Sequence, residues 1–286
     1  LKTTDIQDMT GSLIDIVLLL LCIDGLCAFS TISRAGSSWR VRTNRLSITM
    51  GASVSDAFDS AEVQAGKFRI VASEEEISGS KCNNLGTETI MLGDVQSGWG
   101  NGKHPTTKLC LDFITENVKP GNKVLDYGCG SGILSILAAK LGAVSCLAVE
   151  IDEDSLIAAA NNADLNGVGD RVEVIHTRHV YIGDDSIQPA DVTVADILPG
   201  ALNRLVAPLW MLTKPGGRIC LSGLRPHELP AIRAIYAPYM NMNTEDTRTA
   251  CHDVYGEWVS WSVQTKIMSP EETAEALNRL TQGALD

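Results

Sequence analysis

The chain has 286 residues, a formal net charge of −12 and a sequence pI near 4.8. This length allows one full domain with an appendage or two small domains, and a hydrophobic fraction of 44% argues against a disordered or collagen-like chain. The acidic balance argues against a dedicated binder of the nucleic-acid backbone, which needs clustered lysine and arginine.

Cysteine usage favours a reducing compartment. The eight cysteines are scattered along the chain, and no His or Cys spacing completes a zinc pattern, so we expect no metal site. Most of these thiols are expected to be small buried hydrophobic groups.

Residues 1–55 have the composition of a targeting leader and are expected to lack fixed structure. The apolar run 16–23 is shorter than the roughly 20 residues that a membrane span needs, and small residues follow it, as in a signal peptide. Residues 25–55 contain no acidic residue but several arginines and serines, which is typical of an organelle transit peptide. The combination resembles a bipartite plastid presequence, so we expect an organelle, with a plastid favoured over a mitochondrion. A leader without an address, and a cytoplasmic protein, is the alternative.

Residues 56–95 are polar and weakly patterned, and we interpret them as a short N-terminal extension. From residue 96 to 267, predicted strands alternate with helices. The strands are expected at 123–128, 145–151, 171–177, 191–197, 217–222 and 257–266. The helices are expected at 108–117, 133–141, 152–167 and 199–212, with another opening at Pro226. Apolar strands separated by helices predict an α/β fold with a doubly wound, mostly parallel sheet. In the tail, 268–286, Ser269 is the predicted N-cap of a last helix, which is either a docking element or a solvated terminus.

The first strand-to-helix turn is the leading candidate for a ligand site. It carries Asp126, Gly128, Gly130 and Gly132, and Glu150 ends the next predicted strand. Ligands of such sheets bind at the carboxyl ends of the strands, and glycine lets the backbone approach them closely. Dinucleotide enzymes and S-adenosylmethionine enzymes share this arrangement, but the D-x-G-x-G-x-G spacing favours the methyl donor. The alternative is that the glycines serve only tight packing.

A second glycine-rich segment, G-W-G-N-G-K-H-P-T-T at 98–107, precedes the predicted helix 108–117. A threonine there can cap the helix, and the free N–H groups of the first turn can bind a carboxylate. A simple glycine turn with a capping threonine is the alternative reading.

Six separated segments together resemble the PrmA-type ribosomal-protein lysine methyltransferases. They are the segment at 98–107, V-L-D-Y-G-C-G-S-G-I-L, A-V-E-I-D, V-A-D-I-L, K-P-G-G and E-W-V, in this order. Lysine methyltransferases of the electron-transfer-flavoprotein β-subunit share much of this core. The resemblance implies a Rossmann-like class I methyltransferase fold with a seven-stranded sheet, and S-adenosyl-L-methionine as the cofactor.

Residue by residue, the resemblance implies donor contacts at Thr107, Gly128, Glu150 and Asp196, with Asp126 and Gly130 in the same turn. Glu150 replaces the aspartate that is usual in the family. Asp196 replaces an asparagine at the predicted catalytic position, and its alternative role is a helix cap. An aromatic wall for the substrate lysine is expected at Trp99, with simple packing as the alternative.

The implied activity is protein-lysine N-methylation, acting on an organellar ribosomal protein or on the flavoprotein β-subunit. The acidity of the chain lies outside residues 1–55 and suits a basic protein substrate. Direct nucleic-acid binding and a membrane span are not expected. The alternatives are a donor-binding protein without methyl transfer and a small-molecule methyltransferase.

Overall fold

The computed structural model describes residues 19–23, 26–35, 38–44, 63–72, 88–93, 100–180, 187–252 and 254–282. The chain divides into two compact units, Leu1–Ala61 and Glu62–Asp286. No helix in the described part of the chain is long and apolar enough to cross a membrane.

The first unit contains a three-stranded antiparallel sheet. Its strands are β1 (Leu19–Ile23), β2 (Leu26–Ala35) and β3 (Ser38–Asn44), in the order β1-β2-β3. These residues were expected to lack fixed structure. In the sequence, the pair between β1 and β2 is Asp-Gly, a combination typical of two-residue hairpins, and β2 and β3 contain β-branched and aromatic residues. The prediction from arginine and serine content did not include these strands, and the assignment of residues 1–55 as a targeting leader stays a prediction.

The second unit begins with three short strands, followed by alternating helices and strands. The short strands are β4 (Val63–Ala65), β5 (Phe68–Val71) and β6 (Thr89–Met91). The elements that follow are α1 (Pro105–Asn117), β7 (Lys123–Tyr127), α2 (Ile133–Lys140), β8 (Ser145–Glu150), α3 (Glu153–Leu165), β9 (Val172–His176), β10 (Ala190–Asp196), α4 (Pro199–Leu202) and α5 (Val206–Met211). The last are β11 (Thr213–Leu224), α6 (Leu229–Tyr236), β12 (Met240–His252), β13 (Gly256–Thr265) and α7 (Pro270–Gln282).

Seven strands form one sheet in the order β12-β13-β11-β10-β7-β8-β9. The pairs of β10 with β11, β10 with β7, β7 with β8 and β8 with β9 are parallel, whereas β13 is antiparallel to both of its neighbours. The predicted α/β fold with a mostly parallel, seven-stranded sheet is confirmed. The strand order reverses at β7, between β8 and β10, so the carboxyl ends of these three strands border the topological switch point.

Both faces of the sheet are covered by packed side chains. Neighbouring residues of a strand point to opposite faces, so each strand contributes to both core clusters. In β7, Val124 packs into the cluster formed with α1, α2 and α3, and Leu125 packs into the cluster on the opposite face. Both side chains are almost fully buried. Burial on two faces explains why these strands are continuously apolar in the sequence.

The segment interpreted as an extension, 56–95, supplies part of the first cluster. Phe68, Ile70 and Ile90 of β5 and β6 are buried there, together with side chains of α1 and α2. Strands of three and four residues are too short to show a clear alternation, so the sequence pattern did not reveal them. The described residues of this segment, 63–72 and 88–93, are part of the second unit.

The predicted helix 199–212 is wrong in one respect, because it is two helices separated by residues 203–205. Pro208 has no N–H to donate to the carbonyl of Arg204, and its ring crowds the preceding turn. A helix continuous from residue 199 would lack this hydrogen bond, whereas Pro208 is accommodated near the start of α5. The K-P-G-G segment at 214–217 lies inside β11, which begins before the predicted residue 217, and β12 was not predicted at all.

Helix α7 is present with Ser269 at its start, as expected, but it is not a fully solvated tail. Ala276 is buried, and Leu277 and Leu280 pack against the second core cluster. Their spacing places them on one face of the helix.

Candidate active site

The turn between β7 and α2 is built from glycines with positive φ. Gly128, Gly130 and Gly132 have φ of +84°, +52° and +79°, a region that side chains with a Cβ rarely adopt. A Cβ on Gly128 would lie 2.2 Å from Cγ2 of Ile197, whereas a Cβ on Gly130 would meet no atom within 4 Å. Gly128 is therefore required by packing, and Gly130 borders open space.

Glu150, at the end of β8, is held against this turn. Its Oε2 accepts a hydrogen bond from the Gly130 N–H at 2.9 Å, and its Oε1 accepts one from the Ile151 N–H at 2.7 Å. The Asp152 N–H also donates to Oε1, at 3.2 Å. The carboxylate is thus fixed at the strand end and retains lone pairs for further donors.

Asp126 lies beneath the turn rather than at its surface. The side chain is fully buried, and its Oδ2 accepts hydrogen bonds from the N–H and the hydroxyl of Ser135, at 3.1 and 2.8 Å. Oδ1 has no hydrogen-bond partner among the described residues. Burial raises the pKa of Asp126 to about 7. The two hydrogen bonds from Ser135 lower this pKa, and the negative charges of Glu150 and Asp196 raise it further. The geometry gives Asp126 a direct part in fixing α2.

Asp196, at the end of β10, is bound to the first turn of α1. Its Oδ2 accepts hydrogen bonds from the Thr106 hydroxyl at 3.1 Å and from the Thr107 hydroxyl at 3.0 Å. Burial raises the pKa of Asp196 above its usual range, and the hydroxyl donors Thr106, Thr107 and Ser222 oppose that shift. The Ser222 hydroxyl also donates to the Thr106 carbonyl at 3.2 Å, which joins β11 to the same turn.

The cap of α1 differs from the expectation that a threonine caps this helix. The N-cap is His104, whose Nδ1 accepts the Thr106 N–H at 3.4 Å, and Pro105 is the first helical residue. Proline suits that position because its missing N–H needs no partner there. The helix therefore begins three residues before the predicted 108, and both threonines direct their hydroxyls to Asp196.

Two aromatic rings from the β12–β13 hairpin pack on His104, Tyr255 from its turn and Trp258 from β13. The ring centroids of His104 and Tyr255 are 4.8 Å apart, and those of His104 and Trp258 are 5.0 Å apart in an edge-on arrangement. The Arg225 guanidinium lies 3.6 Å from the Trp258 ring centroid and donates to the carbonyls of Tyr255 and Glu257. Burial lowers the pKa of His104, and the positive charge of Arg225 and the nearby His252 lower it further.

A cleft of about 480 Å³ opens where these strand ends meet. Gly128, Glu150 and Asp196 line it, with apolar walls from Val149, Ile151, Ile197 and Leu205. Thr177 and Arg204 add polar groups. The volume is in the range of small-molecule sites.

The structure thus brings Gly128, Glu150 and Asp196 into one cleft, with Gly130 and Thr107 each one hydrogen bond from it. Trp99 lies outside the described residues. Tyr255, Trp258 and Arg225 were not among the predicted site residues. Trp258 belongs to the E-W-V segment, which was the one feature of the sequence that could have drawn attention to it. Its contact with His104 could not be predicted, because no local sequence pattern indicates that the β12–β13 hairpin lies beside α1.

The strand order, the glycine turn and the acidic residue at the next strand end together define a Rossmann-like fold of the class I methyltransferase type. The solved structure of a ribosomal protein L11 methylase from Lactobacillus delbrueckii subsp. bulgaricus has this fold. It matches with a TM-score of 0.56 and 29% identity over 72% of this chain and 99% of that chain. The chain belongs to the family described as ribosomal protein L11 methyltransferase (PrmA), whose model matches residues 63–266.

Curated relatives carry the same description. The chain is 40% identical over 157 residues to a ribosomal protein L11 methyltransferase of Actinobacillus pleuropneumoniae serotype 3, covering 54% of this chain and 51% of the relative. It is 40% identical over 145 residues to one of Burkholderia cenocepacia, covering 51% and 46%. The chain therefore spans about half the length of these relatives.

Proposed function

We propose that this chain is an S-adenosyl-L-methionine-dependent methyltransferase that modifies a lysine side chain of a ribosomal protein. The observation that carries the proposal is the cleft in which the Gly128 turn, Glu150 and Asp196 meet, in a chain of the PrmA family.

The residues of the cleft fit the methyl donor. The glycine turn leaves space above Gly130, and the Glu150 carboxylate is fixed beside it with lone pairs free for the hydroxyls of a ribose. The apolar walls suit an adenine ring. When bound, S-adenosyl-L-methionine supplies a methyl carbon that is already electrophilic, so the protein's main task is alignment of the two reactants.

Asp196 faces the same cleft from the end of β10 and is positioned to hold the acceptor amine. A lysine amine has an ordinary pKa near 10.4 and must lose a proton before it can attack. The carboxylate can accept a hydrogen bond from the amine, and two threonine hydroxyls fix its orientation. In this position a carboxylate also stabilises the ammonium form, which the asparagine of related enzymes does not do.

The identity of the substrate is inferred from the relatives and from charge. The family description and the curated relatives are named for ribosomal protein L11. The acidic balance of this chain suits a basic protein. We propose a ribosomal protein of an organelle, with the electron-transfer-flavoprotein β-subunit as the second candidate and a plastid as the favoured compartment.

The proposal is tested by two measurements on the full chain. Calorimetry measures donor binding, and mass spectrometry measures methylation of recombinant ribosomal protein L11 and of the flavoprotein β-subunit after incubation with the donor. We expect donor binding and methylated lysine in the ribosomal protein. Donor binding without transfer to either protein favours a binding protein, and the substitution Asp196→Asn then tests whether the carboxylate is the cause.

A further inference from the structure

Three polar groups form an unbroken hydrogen-bonded series that leads away from the cleft. The Thr106 hydroxyl lies 3.1 Å from Oδ2 of Asp196 and 2.7 Å from Nδ1 of His104. His104 is half-buried, and it packs on Tyr255, which is exposed to solvent. The series therefore connects a carboxylate in the cleft with an imidazole near the protein surface.

We propose that Asp196 accepts the proton of the substrate ammonium and that the Thr106 hydroxyl passes it to His104. This inference rests on the proposed function, because it concerns the deprotonation that must precede methyl transfer. Asp196 is the catalytic residue in this step. Thr106 and His104 act through it and are positioning residues for the proton.

The proton balance is complete with water as the final acceptor. The substrate ammonium gives one proton to Oδ2 of Asp196, which leaves a neutral amine and a carboxylic acid. The acid donates to Oγ1 of Thr106 while the hydroxyl proton of Thr106 moves to Nδ1 of His104, which restores the carboxylate and forms an imidazolium. The imidazolium then releases the proton to water. The neutral amine attacks the methyl carbon of the sulfonium, the carbon–sulfur bond breaks, and its electron pair stays on sulfur.

The surroundings of His104 and Asp196 suit a proton that is taken up at Asp196 and released from His104. Arg225, after β11, and His252, at the end of β12, both disfavour a lasting positive charge on His104, and their effect adds to that of burial. His104 is therefore neutral near pH 7 and able to accept a proton that it then releases. At the other end, burial raises the pKa of Asp196 and so favours uptake of a proton, although the hydroxyl donors Thr106, Thr107 and Ser222 oppose that shift.

The proton relay formed by Asp196, Thr106 and His104 explains how a carboxylate can serve at residue 196. An aspartate in place of asparagine stabilises the ammonium and so opposes its deprotonation, unless the carboxylate itself takes the proton away. Once protonated, Asp196 can hold a second substrate only after it loses that proton. Transfer through Thr106 to His104 removes this proton from Asp196.

Thr107 provides a matched comparison within the same turn. Its hydroxyl donates to the same oxygen of Asp196, at 3.0 Å against 3.1 Å for Thr106. Only Thr106 is also within hydrogen-bond distance of His104. Thr106→Val and Thr107→Val therefore each remove one hydrogen bond from Asp196, but only the first interrupts the relay.

The test compares kcat as a function of pH for the wild-type chain and the variants His104→Asn, Thr106→Val and Thr107→Val. Asparagine is a favoured N-cap, so His104→Asn keeps the cap and removes the titrating group. We expect His104→Asn and Thr106→Val to lower kcat on the order of tenfold near pH 7, with the fall shrinking as pH rises. We also expect added imidazole to restore part of the rate in His104→Asn. Thr107→Val is expected to keep the shape of the wild-type profile.

Two further measurements keep the outcome decisive. Donor affinity by calorimetry and circular dichroism show that each variant is folded, and nitrogen NMR of His104 reports directly on its bond to Thr106. A shift of the Nδ1 signal in Thr106→Val but not in Thr107→Val supports the relay. Equal, pH-independent losses in all three variants, with no rescue by imidazole, overturn it. A wild-type chain that binds the donor but methylates no lysine overturns the proposed function itself.

Discussion

The carboxylate of Glu150 is bound to the backbone N–H of Gly130 at 2.9 Å, which joins the end of β8 to the turn after β7. The other carboxylate oxygen accepts the N–H groups of Ile151 and Asp152. Three backbone donors therefore fix the side chain before any ligand arrives. A preorganised acceptor of this kind costs little to order when a ligand binds.

Glu150→Gln is expected to weaken donor binding while it preserves the fold. The glutamine keeps the length of the side chain but removes the charge, and hydrogen bonds to charged groups contribute about 1.5–3 kcal/mol. We expect the dissociation constant of S-adenosyl-L-methionine to rise by about tenfold or more in calorimetry. The matched control is Glu153→Gln, because Glu153 is an exposed residue of α3 that pairs with Arg178. An equal loss of affinity in both variants contradicts a direct role for Glu150.

Gly128→Ala and Gly130→Ala are expected to fail in different ways. A Cβ at residue 128 would overlap Ile197, so we expect that variant to lose several kcal/mol of unfolding free energy. A Cβ at residue 130 meets no protein atom, so the cost there is the positive φ alone, about 1 to 2 kcal/mol. If the donor occupies the space above Gly130, Gly130→Ala also lowers donor affinity. Urea unfolding and calorimetry on both variants separate the two effects, and an unchanged affinity in Gly130→Ala would place the donor elsewhere.

The sequence pattern predicted the parts of the fold that are both apolar and long. β7, β8 and β10 are buried on both faces, and their uninterrupted apolar runs and flanking glycines were sufficient to identify them. β12 was not predicted, because most of its residues are half-buried or exposed. Charged residues such as Glu245 and Arg248 interrupt the alternation of apolar and polar residues that marks a strand.

At the site, the glycine turn and Glu150 are local features that the sequence displays directly. The contacts of His104 with Tyr255 and Trp258 join residues about 150 positions apart, and they depend on where the sheet places the β12–β13 turn. A single sequence has no pattern for such a contact. The role of Thr106 was hidden for a related reason, since its partner Asp196 is 90 residues away.

Asp126 is expected to make stability fall as the pH rises. Its pKa is raised in the folded chain to about 7, from an ordinary value of 3.8. Between these two values the folded state binds the proton and the unfolded state has lost it, so the unfolding free energy decreases with pH across this window. Three units of pKa correspond to at most about 4 kcal/mol.

The measurement is urea unfolding of the wild-type chain and of Asp126→Asn between pH 4 and pH 8. The amide cannot ionise but can still accept the hydrogen bonds of Ser135. We expect the wild type to lose stability relative to the variant from pH 4 to pH 7, and the difference to level off as the pH approaches 8. A constant difference throughout shows that Asp126 is charged over the whole range.

Ser269→Ala is expected to loosen α7 without affecting the cleft. The Ser269 hydroxyl accepts the Glu272 N–H at 3.2 Å, and the Glu272 carboxylate accepts the Ser269 N–H at 2.8 Å, which is a reciprocal capping box. Loss of such a cap costs about 1 kcal/mol, or roughly 2–4 °C in the melting temperature of a domain of this size. We expect faster amide exchange throughout α7, with Glu271→Gln as the control, because Glu271 is an exposed residue of the same turn outside the box.

Donor affinity should not change in Ser269→Ala. Helix α7 follows the end of β13, and this end of β13 pairs with β11 at Arg218, far from the carboxyl end of β11 at Leu224. That edge of the sheet is opposite the edge at which Glu150 and Asp196 lie. The helix also lies outside residues 63–266, the part of the chain that the PrmA family model matches. A fall in donor affinity that accompanies the loss of the cap would show that α7 is coupled to the cleft through the second core cluster, in which Leu277 and Leu280 pack.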